Sequence, residues 1–148
     1  MFNAQQIISI LEELEGDEEE FMSILDRVIK TGLEVQRNSE ELLEECRRLF
    51  KNRDSVFQFV ASDIDLCFFL KVLDGAMSYE QGISKERDIP IVLIKFPKEI
   101  ILRVISQEVS IESLYNKGII KLQGSFSNLM RLRALGKYYI QYWDNTLL

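Results

Sequence analysis

Two periods divide the chain. Up to about residue 50, apolar residues recur three and four apart: Ile7, Ile10, Leu11 and Leu14 make one stripe, with Gly16 as its stop. Asp17, with Glu20 three residues on, can cap a second helix whose stripe is Phe21, Ile24, Leu25, Val28 and Ile29. Ser39 followed by Leu42, Leu43, Cys46, Leu49 and Phe50 predicts a third. From Asp54 the period drops to two and the residues turn aromatic and β-branched, which predicts a sheet. "SVFQFVA" and "IDLCFFLKV", separated only by "SD", predict a hairpin, and Asp74-Gly75 a tight turn into the third strand of an antiparallel meander.

"DIPIVLIKF" predicts a fourth strand, with Pro90 marking an edge or a strand beginning. Pro97 suits the first turn of a helix through Ile100, Ile101, Val104 and Ile105. Ser110 can cap a short helix through Leu114 and Tyr115 that Gly118 ends. "IIKLQ" predicts a fifth strand, and Ile119, Ile120 and Leu122, which put apolar groups on both of its faces, argue for an interior place in the sheet. Gly124 then lets the chain turn into a terminal helix from Phe126 to about Tyr142. No repeat, low-complexity tract or long linker interrupts the chain. It divides into a helical extension over residues 1–36 and one compact unit over residues 37–148.

Composition removes several function classes. The 24 Asp and Glu against 18 Lys and Arg give no long-range attraction to nucleic acid or to an anionic membrane, so no nucleic-acid partner is expected, although a local basic patch stays open. The chain has no histidine, which takes away the usual general base near neutral pH and the commonest metal ligand. Cys46 and Cys67 are too few for a disulfide framework or a zinc site and suit buried, reduced thiols. The glutamates at 12, 13, 40, 41, 44 and 45 suit solvated faces and first helical turns. No calcium-loop spacing is present, and no metal or cofactor is expected. No run is long and apolar enough for a membrane span, and the N-terminus lacks a basic start and a cleavage site, so a cytoplasmic protein is expected.

The order of these elements carries a resemblance. A helix, the strand "VFQF", a hairpin, "LDG", the Asp-led strand "DIPIVLI", two short helices and then "YNKGIIKLQGSFSNLMRL" together resemble the sterol carrier protein type 2 domain, over about residues 40–135. The closing part is the most diagnostic, in Tyr115, Gly118, Ile119 to Leu122, Gly124 and Leu129 to Leu132. The resemblance implies an α+β fold: a five-stranded, mainly antiparallel sheet covered by helices on one face, with a tunnel between the layers for fatty acids, acyl-CoA or sterol-like lipids. On that reading the apolar lining is Phe57, Phe59, Leu66, Phe68, Ile91, Leu93, Ile101, Ile105, Leu114, Phe126, Leu129 and Met130. Alternation alone shows a greasy sheet face and leaves open whether it is packed solid. Arg131 and Arg133 are the headgroup candidates; their other reading is pairing with the abundant glutamates. The ending "WDNTLL" is not the peroxisomal address of sterol carriers. The aromatic tail "GKYYIQYWDN" can pack on the body, act as a lid or form a dimer surface.

The expected function is therefore a non-catalytic carrier or sensor that buries a lipid, each methylene contributing about 0.8 kcal/mol. The alternative is an oligomerisation or regulatory module of the same fold with a filled core. Its amphipathic extension leaves a homodimer open. An enzyme ranks last, because no phosphate loop, nucleophile elbow or metal-ligand spacing is present and Cys67 sits among phenylalanines.

Overall fold

The helical stripes and the alternating segments settle into two layers. A computed structural model of the chain describes residues 18–100 and 110–147, with side chains in the last helix described through Lys137. In chain order the elements are α1 (Glu18–Arg37), α2 (Glu40–Leu49), β1 (Ser55–Ala61), β2 (Cys67–Leu73), β3 (Ala76–Gln81), β4 (Ile91–Phe96), α3 (Ile111–Asn116), β5 (Lys121–Gln123) and α4 (Phe126–Leu147). The stripe at residues 7–14, the Asp17 cap and the helix through Ile101, Val104 and Ile105 lie outside the described residues, apart from the helical turn at 98–100 that follows Pro97.

The strands form one sheet in the order β3-β2-β1-β4-β5. Three of its four pairings are antiparallel and β1 pairs β4 in parallel. Pro90 stands just before β4, where its carbonyl accepts from Val56 N–H at 2.9 Å, so the proline marks a beginning on an interior strand. Asp74 (φ 51) and Gly75 (φ 78) close the β2–β3 hairpin in the left-handed region, as the Asp-Gly pair predicts. The β1–β2 connection differs from the two-residue expectation. It runs over residues 62–66, closed by Ala61 N–H to Leu66 O at 2.9 Å, because Leu66 is buried in the core while the Asp63 carboxylate caps Lys98 N–H at 3.0 Å.

The fifth strand also departs from expectation. The N–H groups of Ile119 and Ile120 both point to Leu114 O, at 2.9 and 3.4 Å, finishing α3. They are thereby unavailable to a ladder, so β5 is three residues long and lies at the sheet edge, not in its interior. Gly124 (φ 109) is needed at the turn that follows, since a Cβ there would come 2.5 Å from Ile91 O.

The helices lie on one face. Ser39 caps α2 by accepting from Leu42 N–H at 3.3 Å, and Ser110 caps α3 through Ser113 N–H at 3.1 Å. α1 packs on β3 and α2, and α2 packs on α4. Phe21 and Leu25 of α1 are 0% and 2% exposed and share one core with Phe50, Phe57 and Leu129, so this segment of the N-terminal stripe is built into the body. Burial of two such side chains contributes about 1.5–3 kcal/mol each.

Candidate functional site

The pairing register sorts the sheet residues onto two faces. On one lie Phe57 and Phe59 of β1, opposite Leu70 and Phe68 of β2 and beside Val92 and Ile94 of β4. Phe96, Tyr79, Met77 and Leu122 extend this face across the remaining strands. The helices cover it. Their inward residues Phe21, Leu25, Cys46, Phe50, Leu114, Leu129 and Leu135 join the same apolar cluster.

Aromatic rings organise the centre of this layer. Phe59 stacks on Phe68 with centroids 4.9 Å apart and meets Phe96 edge-on at 6.2 Å, while Phe68 tilts against Tyr79 at 5.7 Å and Phe50 meets Phe57 edge-on at 5.9 Å. Phe57 and Phe50 are completely covered, whereas Phe59, Leu70, Met77, Tyr79 and, from the helices, Met22 and Met130 are only half-buried. Such a layer offers an apolar ligand dispersion contacts and adaptable thioethers.

Polar groups lie both at the borders of the layer and within it. On the α1–β3 seam, Asp26 pairs with Lys30 at 2.9 Å and accepts from Gln81 Nε2 at 3.1 Å. Burial works against the charge of Asp26, but hydrogen bonds from Lys30, Tyr79 and Gln81 outweigh it and hold its pKa below the usual value. Burial, reinforced by the hydrogen bond to Asp26, pushes the Tyr79 phenol up to about 12. Inside the helix layer, Gln36 is 3% exposed and its Nε2 lacks an acceptor among the described residues; the amide acts on the Cys46 thiol without reaching hydrogen-bond geometry. Burial nevertheless raises the pKa of Cys46, so this thiol is protonated at neutral pH and inert as a nucleophile.

The sequence-derived lining residues divide accordingly. Phe57, Phe59 and Phe68 lie on the helix-covered face, and Leu66, Leu114, Leu129 and Met130 pack into the same cluster. Ile91 and Leu93 are corrected: they share the opposite face with Lys95, and Val92, Ile94 and Phe96 take the inward places. The exposed Lys95 was the available signal for that parity, since residues two apart share a face. Phe126 is corrected as well, being 41% exposed and paired with Tyr115 outside the core. Ile101 and Ile105 lie outside the described residues. The headgroup candidates are both engaged by the protein, Arg131 donating to Asn128 Oδ1 at 2.8 Å and Arg133 pairing with Glu112 at 2.8 Å.

The opposite face is covered differently. Residues 82–90 carry the chain from edge strand β3 across to β4, and Gln58, 4% exposed, holds this crossing segment. Its Nε2 donates to Phe68 O and Gly82 O, each at 3.0 Å, and its Oε1 accepts from Ser84 N–H at 2.8 Å. Lys71 adds a 3.0 Å pair with Glu86. At the end of the sheet where β1 and β4 begin, an open cleft of about 530 Å³ is lined by Asn52, Arg53, Asp54, Asp74, Pro90 and Asn128. That lining is too polar for an acyl chain. Among the described residues no group of three His, Cys, Asp or Glu could hold a metal ion, and no helix is long and apolar enough to cross a membrane.

No protein-family model and no curated protein matches the sequence. Solved structures do match it. The ubiquinone synthesis protein UbiJ-SCP2 superposes with a TM-score of 0.58 at 12% identity, over 83% of this chain and 93% of its own. Sterol carrier protein 2 from Yarrowia lipolytica gives 0.55 at 17%, over 84% and 92%. A sec-alkylsulfatase from Pseudomonas sp. gives 0.52 at 17%, over 63% of this chain, which spans only 14% of that enzyme's length. The sheet order, the single helix-covered face and these superpositions converge: the chain has the fold of the sterol carrier protein 2 domain.

Proposed function

We propose that the protein binds a lipid-class ligand between the helices and the aromatic sheet face, and that it works as a carrier or sensor and not as an enzyme. The observation that carries this is the continuous apolar layer of Phe59, Phe68, Ile94, Phe96 and Tyr79, whose outer members stay half-buried beneath amphipathic helices. Two of the proteins that share its fold are by name a sterol carrier and a ubiquinone synthesis protein. Ligand entry is assigned to the α1–β3 seam, where Met22 and Met77 are half-buried and the closing contacts are hydrogen bonds at the surface. Binding then follows from apolar area removed from water, at about 25 cal/mol per Å², with no covalent step.

Organic extraction and native mass spectrometry of the purified protein, with titration by the fluorescent cis-parinaric acid, test the reading. Co-purified lipid and saturable binding at micromolar concentration support it; neither lipid nor probe binding sinks it.

A second reading, an oligomerisation module with a filled core, is favoured by the complete burial of Phe21, Phe50, Phe57, Leu25 and Leu42. It predicts no probe binding together with a concentration-dependent dimer by light scattering.

A further inference from the structure

Charge is not spread evenly over this acidic chain. Residues 113–143 contain Lys117, Lys121, Arg131, Arg133 and Lys137 and no Asp or Glu, in a protein of net charge −6. The two arginines have partners on the protein; Lys117 and Lys121 are exposed, and neither they nor Lys95 enters an ion pair among the described residues. Lys95 and Lys121 are moreover direct register partners across β4 and β5. Like charges placed opposite each other destabilise an antiparallel pair. A lysine on the edge strand β5 guards against strand addition, which accounts for Lys121 but not for Lys95 on an interior strand.

The same border carries four of the six exposed large apolar side chains among the described residues, the other two being Leu73 at the end of β2 and Ile83 in the crossing segment. Tyr115 and Phe126 are 47% and 41% exposed with ring centroids 6.0 Å apart. Ile119 and Ile91 are each 39% exposed, and the Gly124 turn that leads to Phe126 lies directly on the Ile91 backbone. Two aromatic rings and two isoleucines, with the exposed Lys95, Lys117 and Lys121 on the same run of elements, make an amphipathic surface along the β4–β5 border.

We propose that this border docks on an anionic phospholipid surface, with Tyr115, Phe126 and Ile119 at the headgroup level and Lys95, Lys117 and Lys121 toward the lipid charges. Complementarity selects this occupant. Aromatic rings settle at the membrane interface, lysines extend apolar stems beneath charged tips, and anionic leaflets attract clustered cations. A protein partner fits less well, because lysine is depleted at protein interfaces. The acidic remainder of the chain does not cancel the attraction, since charges beyond about 8 Å are largely screened at physiological salt. The inference stands on this surface alone and does not depend on the proposed ligand layer.

The full chain is co-sedimented with vesicles of phosphatidylcholine alone and of phosphatidylcholine with phosphatidylserine, at low and high salt. Preferential, salt-sensitive binding to the anionic vesicles is expected. Joint Lys95→Glu and Lys121→Glu substitution lowers it by about tenfold or more. Tyr115→Ser with Phe126→Ser lowers it further while leaving cis-parinaric acid titration unchanged. Equal partition into both vesicle types, or binding indifferent to these substitutions, overturns the proposal, as does a change of mass by light scattering in their place. Should the variants fail to fold, acetylation rates in the unmodified protein decide: anionic vesicles must slow Lys95, Lys117 and Lys121 and spare Lys51. A protein that takes up the fatty acid but ignores vesicles refutes this inference only, and the converse refutes the ligand reading only.

Discussion

The two faces of the sheet are built from the same alternating strands yet are held in different ways. On the helix-covered face, Phe57, Val72 and Val92 lose all or nearly all exposure by packing against Phe21, Phe50 and other helix residues. On the opposite face there is no helix among the described residues; a looping segment is fastened by one buried amide, Gln58, and an ion pair. Packing of the first kind is non-directional and can rearrange around a guest, whereas the second depends on fixed donor and acceptor geometry. This difference is the reason for proposing the ligand layer on the first face, with the second as its rigid back.

Breaking each side separately gives a graded set of outcomes. Phe57→Ala should destabilise the whole domain by about 3–5 kcal/mol, seen as a lower urea midpoint by circular dichroism, because the fully enclosed ring leaves a cavity. Gln58→Leu should cost about 2 kcal/mol, since it leaves the Ser84 N–H without an acceptor. Hydrogen exchange should speed up across residues 82–90 in that variant; uniform exchange would mean the crossing segment is held by other contacts. Gln36→Met should have the reverse sign and raise stability by about 1 kcal/mol in the same urea experiment, because it removes a buried donor that lacks an acceptor.

The seam between α1 and β3 sharpens the comparison through pH. Tyr79 has a folded pKa near 12, above its ordinary value of 10, so its contribution is fully present below pH 10 and is lost as pH rises toward 12. Thermal melts should fall over that window, and Tyr79→Phe should flatten the fall. Asp26 acts at the other end. Its folded pKa lies below the ordinary 3.8, so its contribution is present above that value and disappears as pH drops below it. The smallest effect is expected for Ile91→Ser on the exposed face, within about 0.5 kcal/mol in stability, against a much larger loss for Val92→Ala one residue on.

Local signals carried the elements whose causes are local. Ser39 and Ser110 as caps, Asp74-Gly75 as a turn, and the 55–61 and 67–73 strand cores all depend on neighbours within a few residues. The helix-covered face was legible where alternation had an unambiguous parity, as in Phe57, Phe59 and Phe68. It was misread in "IVLIKF", where four of the first five positions suit either face and only Lys95 breaks the tie. Phe126 was misplaced because its exposure depends on Tyr115 and on the turn at Gly124, neither of which sets a period.

Hydrophobic periodicity and capping chemistry thus determined, from the sequence alone, which segments are helices and which are strands with a greasy face, while the covering of one sheet face by helices came from the resemblance. They could do so because period and caps act between residues near in the chain. Tertiary structure alone decided that β4 joins β1 in parallel and that β5 is a short edge. It also decided that Gln58 pins the crossing segment and that Lys95 faces Lys121 beside exposed aromatics. Those relations join residues tens of positions apart, where chain connectivity and competition for the same backbone hydrogen bonds select among pairings that the local pattern leaves equivalent.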